Sequence, residues 1–178
     1  IAVDGVLQVV GGLVRSMNGL LDASLGQRQA MTLASIAFGE AAGEMGNFAS
    51  SMQSVTNFED DQLLSLMSKL SQTFKLNKDE IQQLVPVLLD FTEANKATGM
   101  SVESAFDLMG RALNGHTEML GRYGIELDDT RLKTEGVSYL VEKLGEDYGG
   151  TATALADLRL QNTNAWGDIQ ETVGDMLT

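Results

Sequence analysis

Apolar residues recur at steps of three and four over most of the chain, and this spacing places them on one face of an α-helix. The chain lacks the alternating runs of valine, isoleucine and tyrosine that are typical of strands, and Pro86 is its single proline. We therefore predict an all-α fold, a multi-helix bundle of antiparallel helical hairpins. The central stripes are Leu63, Leu66, Met67, Leu70 and Phe74; Ile81, Leu84, Val85, Leu88 and Leu89; Val102, Ala105, Phe106, Met109 and Leu113; and Val137, Leu140, Val141, Leu144 and Tyr148.

Polar residues ahead of these stripes predict where the helices begin. Ser101 can accept a hydrogen bond from a free backbone N–H in the first turn of its helix. Asn77, followed three residues later by Glu80, comes close to a capping box. Asp128 is predicted to cap a short turn, and the acidic triplet 59–61 to lie at the positive end of a helix dipole. Neither acidic group has the spread of ligands that a calcium site requires.

Pro86 falls inside the stripe that follows Asn77. Proline lacks the N–H that would bond back to the carbonyl of Gln82, so it disturbs the interior of a helix. We predict either a kink at Pro86 or a helix that begins late.

The segment from residue 98 to residue 127 has the most specific pattern in the chain. Its first helix is predicted to end at an Asn-Gly pair, because both residues tolerate the left-handed conformation that ends a helix. A tight corner and a short return helix should follow. The residues concerned are Asn114 and Gly115 at the first stop, Met119, Leu120 and Tyr123 on the apolar side of the return helix, Gly124 at its end, and Ile125 and Leu127 packing back.

Residues 1–48 are weakly charged and rich in glycine and alanine, and we treat them as a separate helical segment. Two helices are predicted, the second with an apolar face from Met31 to Met45. Gly39 and Gly43 stand four apart, a spacing that permits close helix packing within a bundle or, alternatively, association with lipid. The apolar run 6–14 is far shorter than the about 20 residues of a membrane-spanning helix.

The chain beyond residue 150 is predicted to form a long amphipathic helix. Gly149 and Gly150 should end the preceding helix, which closes a hairpin module over residues 49–150. The last segment, 151–178, carries a seam at steps of three and four, and two interpretations stay open. It is a bundle helix anchored in the core by Trp166, or a coiled coil in which a buried Asn162 fixes the register. The seam consists of Leu155, Leu158, Asn162, Ala165, Ile169 and Met176.

Charge and residue types restrict the chemistry. Acidic residues outnumber basic ones by 25 to 12, which disfavours nucleic-acid binding because that requires cations to displace counterions. There is no cysteine, and His116 is the single histidine, so a histidine triad or a multi-histidine metal site cannot form within the chain. No Gly-Lys-Ser/Thr loop is present to hold phosphate. We expect no catalytic, cofactor-binding or metal-binding residues, and we do not expect an enzyme.

Several short motifs follow one another in a fixed order. They are ALNG (112–115), EML (118–120), RYGIEL (122–127), GGTATAL (149–155) and NAWGDIQETVGDML (164–177). The series closely resembles one found in the tail tape measure proteins of long-tailed bacteriophages, and the resemblance runs from about residue 59 to the end. The positions that carry it are Leu113, Asn114, Gly115, Leu120, Gly124, Ile125, Gly149, Gly150, Trp166 and Gly174.

This resemblance implies an internal segment of a helical protein that spans the tail lumen and sets tail length. It also implies tail assembly chaperones, tail tube proteins and tail tip proteins as partners, and a homo-oligomer in the tail. The location would be the virion, after assembly in the host cytoplasm, with release alongside the DNA and contact with the host membrane on ejection. Specific nucleic-acid binding is not expected. The alternatives are a bacterial helical translocator or membrane-active pore-forming module, and an acidic helical adaptor or chaperone.

Overall fold

The computed structural model describes residues 24–156, and every regular element within that range is helical. The all-α prediction is therefore confirmed for the described residues. The α-helices are α1 (described over 24–38), α2 (Ala42–Val55), α3 (Asp60–Phe74), α4 (Lys78–Ala94), α5 (Val102–Leu113), α6 (Asp129–Glu135), α7 (Val137–Tyr148) and α8 (described over 151–156); single 3₁₀ turns occupy Gly39–Ala41, Lys96–Thr98 and Leu120–Tyr123.

Helix α4 lies at the centre of the hydrophobic core. It packs against α3, α5 and α7, with its most extensive contact on α7, while α2 packs against α3. The apolar stripes predicted for these helices supply most of the fully buried side chains, since burying one face of each helix removes its apolar area from water. Among the largest of these side chains are Leu63, Met67, Leu70, Ile81, Leu84, Leu88, Leu89, Phe91, Phe106 and Met109.

The predicted helix caps form. The Glu80 N–H donates to Asn77 Oδ1 at 3.0 Å, and the Asn77 N–H donates to Glu80 Oε2 at 2.8 Å, which completes the capping box. Ser101 Oγ accepts from the Ser104 N–H at 3.2 Å at the start of α5. Asp128 Oδ1 accepts two backbone N–H groups of α6, each at 2.8 Å. Each bond satisfies a donor that has no partner inside its own helix.

The late start proposed for the proline-containing helix is wrong. Helix α4 begins at Lys78 and continues past Pro86 to Ala94. The capping box fixes the beginning of the helix, and the neighbouring side chains of Leu84 and Val85 are fully buried, so packing compensates for the missing hydrogen bond. A kink at Pro86 stays a prediction.

The single helix predicted from Met31 to Met45 is also wrong, because the chain turns in its middle. Gly39 has a φ of +57°, in the left-handed region, and a 3₁₀ turn separates α1 from α2. Glycine adopts this conformation without the steric cost that a Cβ atom brings. Helix α2 then runs on to Val55, across the boundary predicted at residue 48, and the division into three segments stays a prediction.

Candidate functional site

The predicted corner after α5 is present, and two glycines shape it. Helix α5 ends at Leu113, and Gly115 follows with a φ of +92° and its N–H bonded to the Ala112 carbonyl at 2.9 Å. Gly124, with a φ of +79°, ends the 3₁₀ turn in the same manner. The prediction that Asn114 and Gly115 stop the helix is confirmed, as is the stop at Gly124.

The return segment is tighter than the short helix that we predicted. Residues Leu120–Tyr123 form a single 3₁₀ turn, in which only part of the predicted apolar side faces inward. Leu120 and Ile125 are fully buried, and Tyr123 packs against the core. Met119 is 47% exposed, so its placement on the buried side was wrong. A turn this short presents too few positions to bury two adjacent side chains.

An aromatic cluster holds the corner against the end of α7. The ring of Phe91, on α4, is fully buried and lies edge-on to two tyrosine rings. Its centroid is 5.3 Å from that of Tyr123, with 79° between the planes, and 5.2 Å from that of Tyr148, with 85° between the planes. Edge-to-face pairs of this kind contribute about 0.5–1.5 kcal/mol each beyond the area that they bury. The cluster therefore joins three segments that are distant in sequence.

The two tyrosines are also linked by a hydrogen bond. The Tyr148 hydroxyl donates to the backbone carbonyl of Tyr123 at 3.0 Å. This bond ties the end of α7 to the last residue of the 3₁₀ turn.

Replacing Tyr148 by phenylalanine should lower the free energy of unfolding by about 1 kcal/mol, because a partly buried hydrogen bond is lost while the ring stays. Urea denaturation measures the change. Tyr123→Phe is the matched control, since the Tyr123 hydroxyl has no hydrogen-bond partner among the described residues. Equal losses in the two variants would mean that the bond does not stabilise the corner.

A buried carboxylate on α4 binds the turn between α7 and α8. Asp90 is only 8% exposed. Its Oδ2 accepts from the Gly150 N–H and its Oδ1 from the Ala152 N–H, both at 2.8 Å. A carboxylate on the first free N–H groups of a helix both caps it and complements its dipole. Sequence reasoning missed Asp90, although a charged residue directly after Leu88 and Leu89 on a buried stripe is a signal of such pairing.

The predicted break at Gly149 and Gly150 is confirmed. Helix α7 ends at Tyr148, and Gly150 has a φ of +83°. A Cβ atom at Gly149 would lie 2.7 Å from the carbonyl oxygen of Gly145, which is too close for any other residue without a shift. The two remaining signature positions, Trp166 and Gly174, lie outside the described residues, as does most of the predicted seam.

A second cluster of polar side chains surrounds Arg131 on α6. Its guanidinium bonds to Glu135 at 2.8 Å and to Glu142 at 3.1 Å, and it lies 4.2 Å from the ring centroid of Tyr139. The hydrogen bond from Arg131 lowers the pKa of Glu135 below its usual range. The Tyr139 hydroxyl accepts from the Asp128 N–H at 3.0 Å. These contacts orient α6 on α7. The shallow cleft beside them, of about 420 Å³, contains both signs of charge.

The larger cleft, of about 450 Å³, lies between α1, α2 and the start of α3. Its lining includes Met31 and Leu64 together with Arg28, Asp60 and Asp61. Within residues 24–156 no cluster of three or more histidine or acidic side chains is placed to hold a metal ion. Every buried side-chain nitrogen and oxygen in that range has a hydrogen-bond partner.

None of the helices in the described range is both long enough and apolar enough to cross a membrane. No protein-family model matches the chain, and neither a curated protein nor a solved structure is significantly similar to it. The candidate site consists of the corner after α5, the aromatic cluster of Phe91, Tyr123 and Tyr148, and the contact of Asp90 with the turn after α7.

Proposed function

We propose that the chain is an internal segment of a phage tail tape measure protein, which sets tail length during assembly and leaves with the DNA at infection. The observation that carries the proposal is the ordered series of motifs that resembles this family. Eight of its ten signature positions lie in the described range, at the corner after α5 and at the turn after α7. The resemblance falls at positions where the backbone turns, such as Gly115, Gly124 and Gly150, each of which has a positive φ.

The proposed mechanism is mechanical and needs no catalytic group. An α-helix rises about 1.5 Å per residue, so a helical protein stretched along the tail converts its residue count into a length. In the isolated segment we infer a bundle of antiparallel helical hairpins that continues into a long C-terminal helix, which is either a further bundle helix or a coiled coil. The extensive packing of α4 on α7 supports the hairpin part of this arrangement.

The negative net charge of the chain is compatible with a protein that shares a narrow channel with DNA. The net charge of −13 produces repulsion from phosphate groups, which keeps the protein from adhering to DNA that passes through the same lumen. We infer no specific nucleic-acid binding. Strong, salt-dependent binding of DNA by the purified segment would contradict this part of the proposal.

The proposed partners are tail tube and tail tip proteins, further copies of the chain, and tail assembly chaperones before the tube forms. Apolar side chains on α1 support the need for a covering partner, since Leu25 is 59% exposed and Ile36 is 69% exposed. A partner that covered these side chains would remove their apolar area from water.

The same exposed side chains favour the second candidate, a helical translocator or pore-forming module. They lie within the weakly charged, Gly- and Ala-rich segment of residues 1–48, which would supply the membrane contact. Leakage from dye-loaded liposomes separates the two candidates. A pore former releases the dye at low protein-to-lipid ratios, whereas a tape measure segment does not.

Analysis of purified tails tests the proposal. We expect mass spectrometry to detect peptides from residues 24–156 in intact tails, protected there from added protease. They should be lost after DNA release is triggered. A matched sample of tails that keep their DNA controls for leakage. Peptides found only in cell membranes and never in tails would overturn the proposal and support the translocator.

A further inference from the structure

One helical stripe of α7 continues in the sequence without a phase change past the turn, with polar Thr151 and Asn162 at two of its otherwise apolar positions. Steps of four and three alternate from Val137 through Thr151 and beyond, and this average step of 3.5 residues is that of a coiled-coil seam. A turn normally resets such spacing, because the two helices present unrelated faces. Here the sequence also suits a single straight helix. The positions in phase are Val137, Val141, Leu144, Tyr148, Thr151, Leu155, Leu158, Asn162, Ala165 and Ile169.

In the folded structure, the buried face of α8 is not the face that continues the stripe of α7. Ala152 and Ala156 are buried against the core, whereas Leu155, which is in phase with the seam, is 37% exposed. Small side chains bury little apolar area, so within residues 151–156 the docked position depends strongly on the polar contacts. A straight helix would instead bring Leu155 into line with Leu144 and Tyr148 on one stripe.

The backbone donors at the turn have a partner in either arrangement. In the docked one, the N–H groups of Gly150 and Ala152 bond to the Asp90 carboxylate. In a straight helix, the same two groups would bond to the carbonyls of Glu146 and Tyr148, four residues earlier. The change therefore leaves neither of these two backbone donors without an acceptor.

We propose that Asp90 and the Gly149-Gly150 turn form a latch between two states of this chain. In the closed state the latch holds α8 against α4. In the open state residues 137–156 form one uninterrupted helix about 30 Å long. The two glycines permit the closed turn, because Gly150 takes a positive φ and a Cβ at Gly149 would contact the Gly145 carbonyl. The latch is a property of the isolated chain and does not depend on the proposed function.

Spin-label distances measure the two states directly. The chain has no cysteine, so Ser138→Cys and Ala154→Cys introduce a unique label pair at two exposed positions. A straight helix separates these two Cα atoms by about 24 Å, and the closed turn sets a different separation. Replacing Gly149 and Gly150 by alanine should raise the ratio of the 24 Å population to the closed population on the order of 30-fold, since alanine favours helix over glycine at each position.

The matched control is a second double variant, Gly43→Ala with Gly121→Ala. Neither glycine has a positive φ, and a Cβ at either position meets nothing within 4 Å, so the distance distribution should stay that of the parent. Asp90→Asn keeps both turn glycines but offers a single acceptor oxygen, and should raise the 24 Å population to a smaller extent. If the double-alanine variant loses its helical circular dichroism, the distances measured in Asp90→Asn decide whether the latch exists. Unchanged distances in both test variants, or an equal shift in the control, would overturn the latch.

Discussion

Replacing Phe91 by alanine is expected to lower the free energy of unfolding by about 3–5 kcal/mol. The ring is fully buried on α4, so its removal leaves a cavity that its neighbours cannot fill. Both edge-to-face contacts, with Tyr123 and Tyr148, are lost at the same time. Domains of this size are stable by about 5–15 kcal/mol, and the variant should therefore unfold at a much lower urea concentration.

Two further variants serve as controls for Phe91→Ala: one tests the aromatic geometry and the other tests the effect of burial. Phe91→Leu keeps most of the buried volume and removes the aromatic geometry, so it should cost clearly less than alanine. Ile36→Ala removes a large side chain that is mostly exposed and should change the stability by less than about 0.5 kcal/mol. If Phe91→Ala unfolds at the parent's urea concentration, the cluster does not hold the corner to α7.

A comparable loss, of about 2–5 kcal/mol, is expected for Leu120→Ala. Leu120 is the fully buried residue of the 3₁₀ turn, and its position connects the corner to the rest of the core. Removing it should weaken the packing of the turn as well as create a cavity. Exchange of the Ile125 amide, whose N–H bonds to the Leu120 carbonyl at 3.2 Å, should become faster.

The neighbouring Met119 provides the control. It precedes Leu120 directly and has a similar volume, but it is 47% exposed, whereas Leu120 is fully buried. Met119→Ala should therefore change the free energy of unfolding by less than about 0.5 kcal/mol. Losses of similar size at the two positions would mean that the segment buries both side chains, as a regular helix would.

Features with a local cause were predictable from the sequence. The capping box of Asn77 and Glu80, the cap at Ser101 and the glycine stops all depend on residues within four positions of one another. In a helix cap, the hydrogen-bond donor and its acceptor lie in the same short stretch of sequence. At a glycine stop, the residue with a positive φ is itself the glycine that permits it. The buried stripes follow for the same reason, because helical periodicity is a local property.

Features that depend on tertiary contacts or on the exact turn geometry were not predicted. Asp90 meets its partners 60 and 62 positions along the chain, and nothing near it in sequence identifies them. The turn at Gly39 also escaped, because a glycine within an apolar stripe is compatible with a helix until tertiary packing favours the left-handed conformation. Met119 is exposed and Leu120 is buried because the segment forms a tight 3₁₀ turn. Apolar spacing does not distinguish such a turn from a short α-helix.

Tail length in phage particles that carry graded deletions tests the central proposal most directly. In-frame deletions of increasing size are made in the gene that encodes this segment, and tails are measured by electron microscopy. The ruler predicts a linear shortening of about 1.5 Å per deleted residue, while Met119→Ala and Leu120→Ala, which remove no residues, leave the length of assembled tails unchanged. Tails that keep their full length in every deletion would contradict the proposal.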